Sequence, residues 1–219
     1  MSEHTIDMPK IESAIHPQRI LQLFMRPKQY FQDLTQLDGS KIYLLAYLLG
    51  VFLVMDRIDT QIIKIQMMQG HGYINDLINH WLNYWGFILI VGMVVSLIAW
   101  HLYGWWYEIR LQWSGVTKPD KMLAKQVNVL QWMIFVIPIL LVTIVQTFVY
   151  KNYYAAYNAD ETWTVIISLL MMVYSCVVSF IAAKTIFQVN RWGVFWFLIL
   201  PLLFYSVMII TIAMMFLSQ

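Results

Sequence analysis

Asp56 and Asp59 stand three residues apart, hence on one face of a helix, with Arg57 and Lys64 beside them. Carboxylates at that spacing can bind a cation, pair with the neighbouring bases, or mark the polar outer end of a short helix. Three amides, Asn128, Gln131 and Gln146, fall in one narrow sector of a helical wheel, with Thr143 next to it. Amides facing hydrocarbon would go unpaired, so this stripe is expected to look into a helix bundle. There it either bonds between helices or lines a polar path for a small solute or a lipid headgroup. His101 lies inside an apolar run, roughly two helical turns from its end. One histidine cannot supply both axial ligands of a membrane haem, and no second histidine lies in another apolar run. His71, His80 and Asp76 are ligand types without metal-site spacing. Cys176 stands alone, which excludes an intramolecular disulfide and a CxxC pair and reads as buried packing.

Signatures of catalysis are missing from the chain. There is no GxSxG elbow, no HExxH, no glycine-rich phosphate loop and no CxxC. Trp113, Ser114 and Gly115 put a serine beside a glycine, but in a turn without a paired base. The expectation is a protein that is not an enzyme and holds no cofactor and no metal. A net charge of +2, with basic residues that follow topology, gives no support for nucleic-acid binding.

The elements that must position these residues follow from composition. Of 219 residues, 60% are hydrophobic and 12% charged, against roughly 25% charged in a soluble domain. Such a chain has more apolar surface than a globule of its size can hide, so lipid must cover the rest. A hydrocarbon core of about 30 Å needs roughly 20 apolar residues per helix, and helices satisfy their backbone groups internally. The fold class is therefore an all-α membrane protein, a bundle of five transmembrane helices at about 42–58, 84–107, 129–150, 163–183 and 192–217. Residues 1–41 form an N-terminal segment and residues 42–219 the membrane domain.

The first span is short, because Asp56, Arg57 and Asp59 interrupt its apolar run. Ile58, Ile62, Ile63 and Ile65 allow an amphipathic continuation that Gly70 and Gly72 should end. Five unequal spans leave one unmatched, which weakens an inverted-repeat transporter reading. Lys10, Arg19, Arg26, Lys28, Lys41, Arg110, Lys118, Lys121, Lys125, Lys184 and Arg191 lie on one side, and Arg57, Lys64 and Lys151 on the other. The positive-inside rule puts the first side, and the amino terminus, in the cytoplasm. The carboxyl terminus then emerges opposite. Trp81, Tyr84 and Trp85, then Trp105, Trp106 and Tyr107, form aromatic belts at the two ends of the second span.

The first forty residues have no signal-peptide pattern. Pro17 and Pro27 can each open a short interfacial amphipathic helix. In the second, Tyr30, Phe31, Leu34 and Leu37 share a face, opposite Lys28, Gln29, Gln32 and Asp33. Either this helix rests at the headgroups, with Arg19, Arg26 and Lys28 as lipid-interface residues, or its apolar face docks on the bundle. Gly92, Ser96, Ala99 and Tyr103 form one stripe of the second span, and Ser168, Ser175, Ser179 and Ala182 one of the fourth. Small residues of that kind let helix backbones approach.

Three stretches resemble the Yip family of five-span membrane proteins, whose eukaryotic members interact with Rab-type GTPases in vesicle traffic. Residues 21–34, LQLFMRPKQYFQDL, are similar to the family's apolar, proline, paired-aromatic approach to the first span. Residues 113–115 and the basic stretch 118–125 lead into a span with a central proline, Pro138, like the family's glycine-containing loop and third span. Residues 189–196, VNRWGVFW, are similar to its last loop and final helix. One departure matters. The trafficking members carry a DLYGP-type motif before the first span, where this chain reads Leu37, Asp38, Gly39, Ser40, Lys41. Binding to a Rab-type GTPase is therefore not carried over, and the chain looks more like the bacterial branch.

The expected function is that of a non-enzymatic integral protein of the bacterial cytoplasmic (inner) membrane, organising membrane or partner proteins. Its partners would be lipids and a protein partner or second copy, with no nucleic acid. The alternative is a small transporter, channel or lipid-moving protein working through the amide stripe and Asp56 or Asp59.

Overall fold

The computed structural model describes residues 13–68, 74–159 and 162–217. Lys10, Gly70, His71 and Gly72 of the sequence reading lie outside the described residues. Two short helices come first, α1 (Pro17–Met25) and α2 (Pro27–Asp33), each with proline in its first turn, where the missing amide proton costs nothing. A single 3₁₀ turn, Leu34–Gln36, follows. Asp38 then accepts the Ser40 amide at 2.8 Å and its hydroxyl at 2.9 Å. These bonds hold the Asp38 carboxyl below the usual carboxylate range and turn the chain into α3 (Ile42–Met68).

A short α4 (Asn75–Ile78) leads into the long helix α5 (Trp81–Trp113). It ends in a Schellman motif: Val116 N–H donates to Leu111 O at 3.1 Å and Gly115 N–H to Gln112 O at 3.0 Å, with Gly115 at φ +91°. Asp120 caps α6 (Lys121–Val149) by accepting the Leu123 amide at 2.8 Å. Asn152 does the same for the one-turn α7 (Tyr153–Tyr157), accepting from Ala155 at 2.8 Å. α8 (Thr162–Phe187) comes next.

The last helix runs as α9 (Trp192–Val194), a π-helical turn Phe195–Ile199 and α10 (Leu200–Leu217). Pro201 explains the widened turn. It has no amide proton for the Phe197 carbonyl and its ring would crowd that group, and the Leu200 amide already reaches back five residues to Phe195 O.

Among the described residues, four helices are long and apolar enough to cross a membrane: α5, α6, α8 and the Trp192–Thr211 stretch of the last. Their outward faces are apolar, as at Leu82, Ile90, Phe148 and Phe204, which suits lipid and not water. This is a multi-pass, all-helical membrane protein. α3 is not one of the four, because Asp56, Arg57, Asp59 and Lys64 fall within its 27 residues.

α3 nevertheless lies antiparallel along α5 and also packs on α6. The two backbones of α3 and α5 approach tightly at Gly50, where a methyl group would come within 2.3 Å of the Gly92 carbonyl oxygen. Gly92, Ser96 and Ala99 are buried there, so the small-residue stripe does set this crossing. Phe52 meets Phe135 of α6 edge-on at 5.3 Å, and Tyr103 of α5 stacks on Trp132 of α6 at 6.1 Å. The apolar face of α2 docks on the bundle against α8. Tyr30, Phe31 and Leu34 are buried, and Tyr174 of α8 donates to Phe24 O at 2.6 Å.

Candidate functional site

Beside the tight α3–α5 crossing lies a groove of about 1070 Å³. Its long wall is the stripe Asn83, Phe87, Val91, Val95, Ile98 and Leu102 of α5, and its short wall runs from Leu53 to Gln61 of α3. The stripe covers roughly 28 Å of helix, close to the thickness of a hydrocarbon core. Its charged and amide side chains, Asp56, Arg57, Gln61, Asp76 and Asn83, come from α3 beyond Gly50, from α4 and from the first turn of α5, whereas the wall from Phe87 to Leu102 is apolar. Gly86 also lines the groove, and a methyl group there would meet nothing within 4 Å.

Asp56 therefore faces this groove, whereas Asp59 faces α7. Residues three apart on a helix diverge by about 60°, enough to point the two carboxyls into different spaces and separate the expected pair. Tyr153 donates its hydroxyl to Asp59 Oδ1 at 2.5 Å. The Asn152 cap orients α7 for this contact, and the Tyr153 ring stacks on Tyr84 at 3.9 Å. Trp81 lies edge-on to both rings and donates to Tyr150 O at 2.8 Å. Trp85 donates to Thr147 Oγ1 at 3.0 Å. Asp59 lies past the crossing stretch 42–58, and burial among these rings pushes its carboxyl up to about 7. Burial also pushes the Tyr153 phenol well up, so it remains a donor.

The amide stripe divides into two parts. Asn128 and Gln131 are 1% and 6% exposed and bond to each other, Gln131 Nε2 donating to Asn128 Oδ1 at 3.1 Å. Asn128 Nδ2 and Gln131 Oε1 are left without partners. Gln146 lies about 22 Å further along the helix, only partly buried, and its backbone carbonyl accepts from Tyr150 at 2.9 Å. His101 is exposed on α5, its Nδ1 2.8 Å from Leu97 O.

Sequence reasoning missed one residue. Arg110 is only 8% exposed, with its guanidinium 4.8 Å from the centre of the Phe197 ring and 5.2 Å from that of Tyr107. It forms no ion pair among the described residues, and its Nε has no hydrogen-bond partner. Each ring face supplies up to about 2 kcal/mol to a desolvated cation, against an effective penalty of several kcal/mol for burying the charge. The rings alone do not offset it. The signal was present, since the spacing Gly92, Ser96, Ala99, Tyr103 continues to Tyr107 and Arg110 on the same buried stripe.

At the amino-terminal helices, Arg19 pairs with Asp33 at 3.1 Å and donates to Gln22 at 2.8 Å. Arg26 and Lys28 are exposed, and with Pro27, Gln29, Gln32 and Ile181 they line a shallow groove of about 580 Å³. Comparison with family models, curated proteins and solved structures finds no match for this chain.

Proposed function

We propose that this is a non-enzymatic, Yip-like integral membrane protein of the bacterial cytoplasmic membrane that organises the bilayer by holding lipid against its bundle. The observation that carries the reading is the α3–α5 groove. It is apolar for most of a membrane thickness and polar at one end, the profile of an amphiphile. Arg57 at that end suits a phosphate and Asp56 and Asp76 suit an ammonium, so a zwitterionic phospholipid with an amine headgroup is the fitting occupant.

In this reading α3 is the fifth span and the amino terminus is cytoplasmic. Support comes from its antiparallel run beside α5, with buried side chains from Ile42 to Ile58, about 24 Å of helix. A span enclosed by α5 and α6 tolerates polar residues that a lipid-facing one does not. α1 and α2 then lie at the cytoplasmic headgroups, with Arg26 and Lys28 toward anionic lipid. The amide stripe offers little to a solute path, since Asn128 and Gln131 bond each other and Gln146 stands apart.

The test is lipid retention. Native mass spectrometry of the detergent-extracted protein is expected to find a bound diacyl phospholipid, displaced in Gly86→Phe, whose side chain enters the groove from an open position. Equal retention by both proteins, with Gly86→Phe still folded, would remove the groove from the account.

A further inference from the structure

At the basic end of the bundle, Arg110, Gln131, Trp132, Ser175, Cys176, Ser179, Pro201 and Tyr205 surround a cavity of about 60 Å³. It draws on α5, α6, α8 and α10 and shares no lining residue with the α3–α5 groove. Three of its polar groups are more than nine-tenths buried, Arg110, Gln131 and Ser179, and each has an atom without a partner: Arg110 Nε, Gln131 Oε1 and Ser179 Oγ. Buried polar atoms in folded proteins are paired as a rule, so three exceptions around one cavity mark a place suited to a polar ligand. The one charge among them is a cation with no carboxylate against it among the described residues. Glu108, two residues away, has Lys121 at 4.0 Å instead.

We propose that this cavity binds a phosphate-type oxyanion, carried either by a phospholipid headgroup or by free inorganic phosphate. The guanidinium fork matches two oxygens of such a group. Ser179 Oγ–H and the Tyr205 hydroxyl supply donors from the α8 and α10 walls. Gln131 can contribute as well. Reversing its amide together with that of Asn128 keeps their mutual hydrogen bond, now from Asn128 Nδ2 to Gln131 Oε1, and turns Gln131 Nε2 toward the cavity. Donors arriving from several helices suit a tetrahedral anion better than a planar carboxylate. The volume is several times the roughly 10–15 Å³ that one water needs, which admits a phosphate and excludes a nucleotide.

The local sequence builds this place. Arg110 ends the buried stripe of α5. The π-helical turn before Pro201 carries Phe197, which is fully buried and lies against both Arg110 and the Tyr107 ring. The arginine is thus held from one side by rings that cannot accept its hydrogen bonds.

The test uses the full chain, delipidated in maltoside detergent, and follows thermal unfolding in two arms. One adds inorganic phosphate and the other adds phosphatidic acid, with diacylglycerol of the same chains as the phosphate-lacking control. Stabilisation by inorganic phosphate identifies a free-anion site, and stabilisation by phosphatidic acid but not diacylglycerol a lipid-headgroup site. Either result supports the proposal if Arg110→Gln weakens the apparent affinity roughly tenfold or more. No shift in either arm, or an undiminished shift in Arg110→Gln, overturns it. Should Arg110→Gln not fold, Ser179→Ala, which removes one buried hydroxyl, decides the matter: a weaker response supports the proposal and an unchanged response counts against it.

Discussion

The hydroxyl of Tyr153 donates to Asp59 across 2.5 Å, joining the one-turn helix α7 to the acidic end of α3. The contact brings together residues 94 apart in sequence, and it places a carboxyl among Tyr84, Tyr153 and Tyr157, with Asp56 nearby. Burial raises the Asp59 carboxyl from 3.8 to about 7. A raised acid favours the folded state when protonated, so its contribution is full below about 4 and is lost as pH climbs through about 7. The thermal midpoint in detergent is therefore expected to fall between pH 5 and pH 8, and Asp59→Asn should flatten that dependence while keeping an acceptor for Tyr153. An equal slope in the variant would assign the pH effect elsewhere.

The Gly50–Gly92 approach leaves no space for a side chain. Gly50→Ala is expected to destabilise the bundle by about 1–3 kcal/mol through overpacking. Gly86→Ala, on the same hairpin but facing open space, should be neutral or slightly stabilising. Unfolding in a denaturing-detergent titration measures both. Equal effects of the two would deny that α3 and α5 meet at Gly50.

A crossing α3 reverses the sidedness of everything before it. In a Cys176→Ala background, Asp76→Cys should react with a membrane-impermeant maleimide on intact cells, while Lys28→Cys and Lys118→Cys should react only after lysis. All three replaced side chains are exposed. If Lys28→Cys and Asp76→Cys react from the same side, α3 does not cross.

Arg19 belongs to an internal pair with Asp33, so reversing it disturbs packing as well as surface charge. Arg26 and Lys28 are exposed, and a polybasic contact is worth about 1 kcal/mol per residue at an anionic surface. The double variant Arg26→Glu, Lys28→Glu should lose enrichment of anionic over zwitterionic lipid in mixed-lipid nanodiscs, with helix content and thermal midpoint unchanged. Retained enrichment would separate these residues from lipid selection.

Much of the architecture can be read from the chain because lipid imposes simple demands. Long apolar runs mark α5, α6, α8 and the last helix, and the Gly92, Ser96, Ala99 spacing marks the face that meets α3. Helix ends are less legible, since α5 continues past Tyr107 to Trp113 wherever backbone bonds can still form. The groove was invisible, because it arises between two helices whose divergence no single periodicity encodes. Asp59 is a candidate from its spacing, but its contact with Tyr153, 94 residues away, is illegible for the same reason. Arg110 is legible in principle, since it continues the buried stripe of α5, but a count of basic residues by side of the membrane carries no information on burial. The amide stripe is continuous only on a helical wheel, because that projection discards the helix length that separates Gln131 from Gln146.

The proposed role is to hold lipid beside a closed bundle, and a structure determined in lipid nanodiscs would show whether lipid is there. Acyl-chain density is expected along Val91, Val95 and Ala99 with a headgroup near Asp56, Arg57 and Asn83, and Asn128 and Gln131 still bonded to each other. An α3–α5 groove without lipid, together with a water-filled path joining Asn128, Gln131 and Gln146, would contradict it.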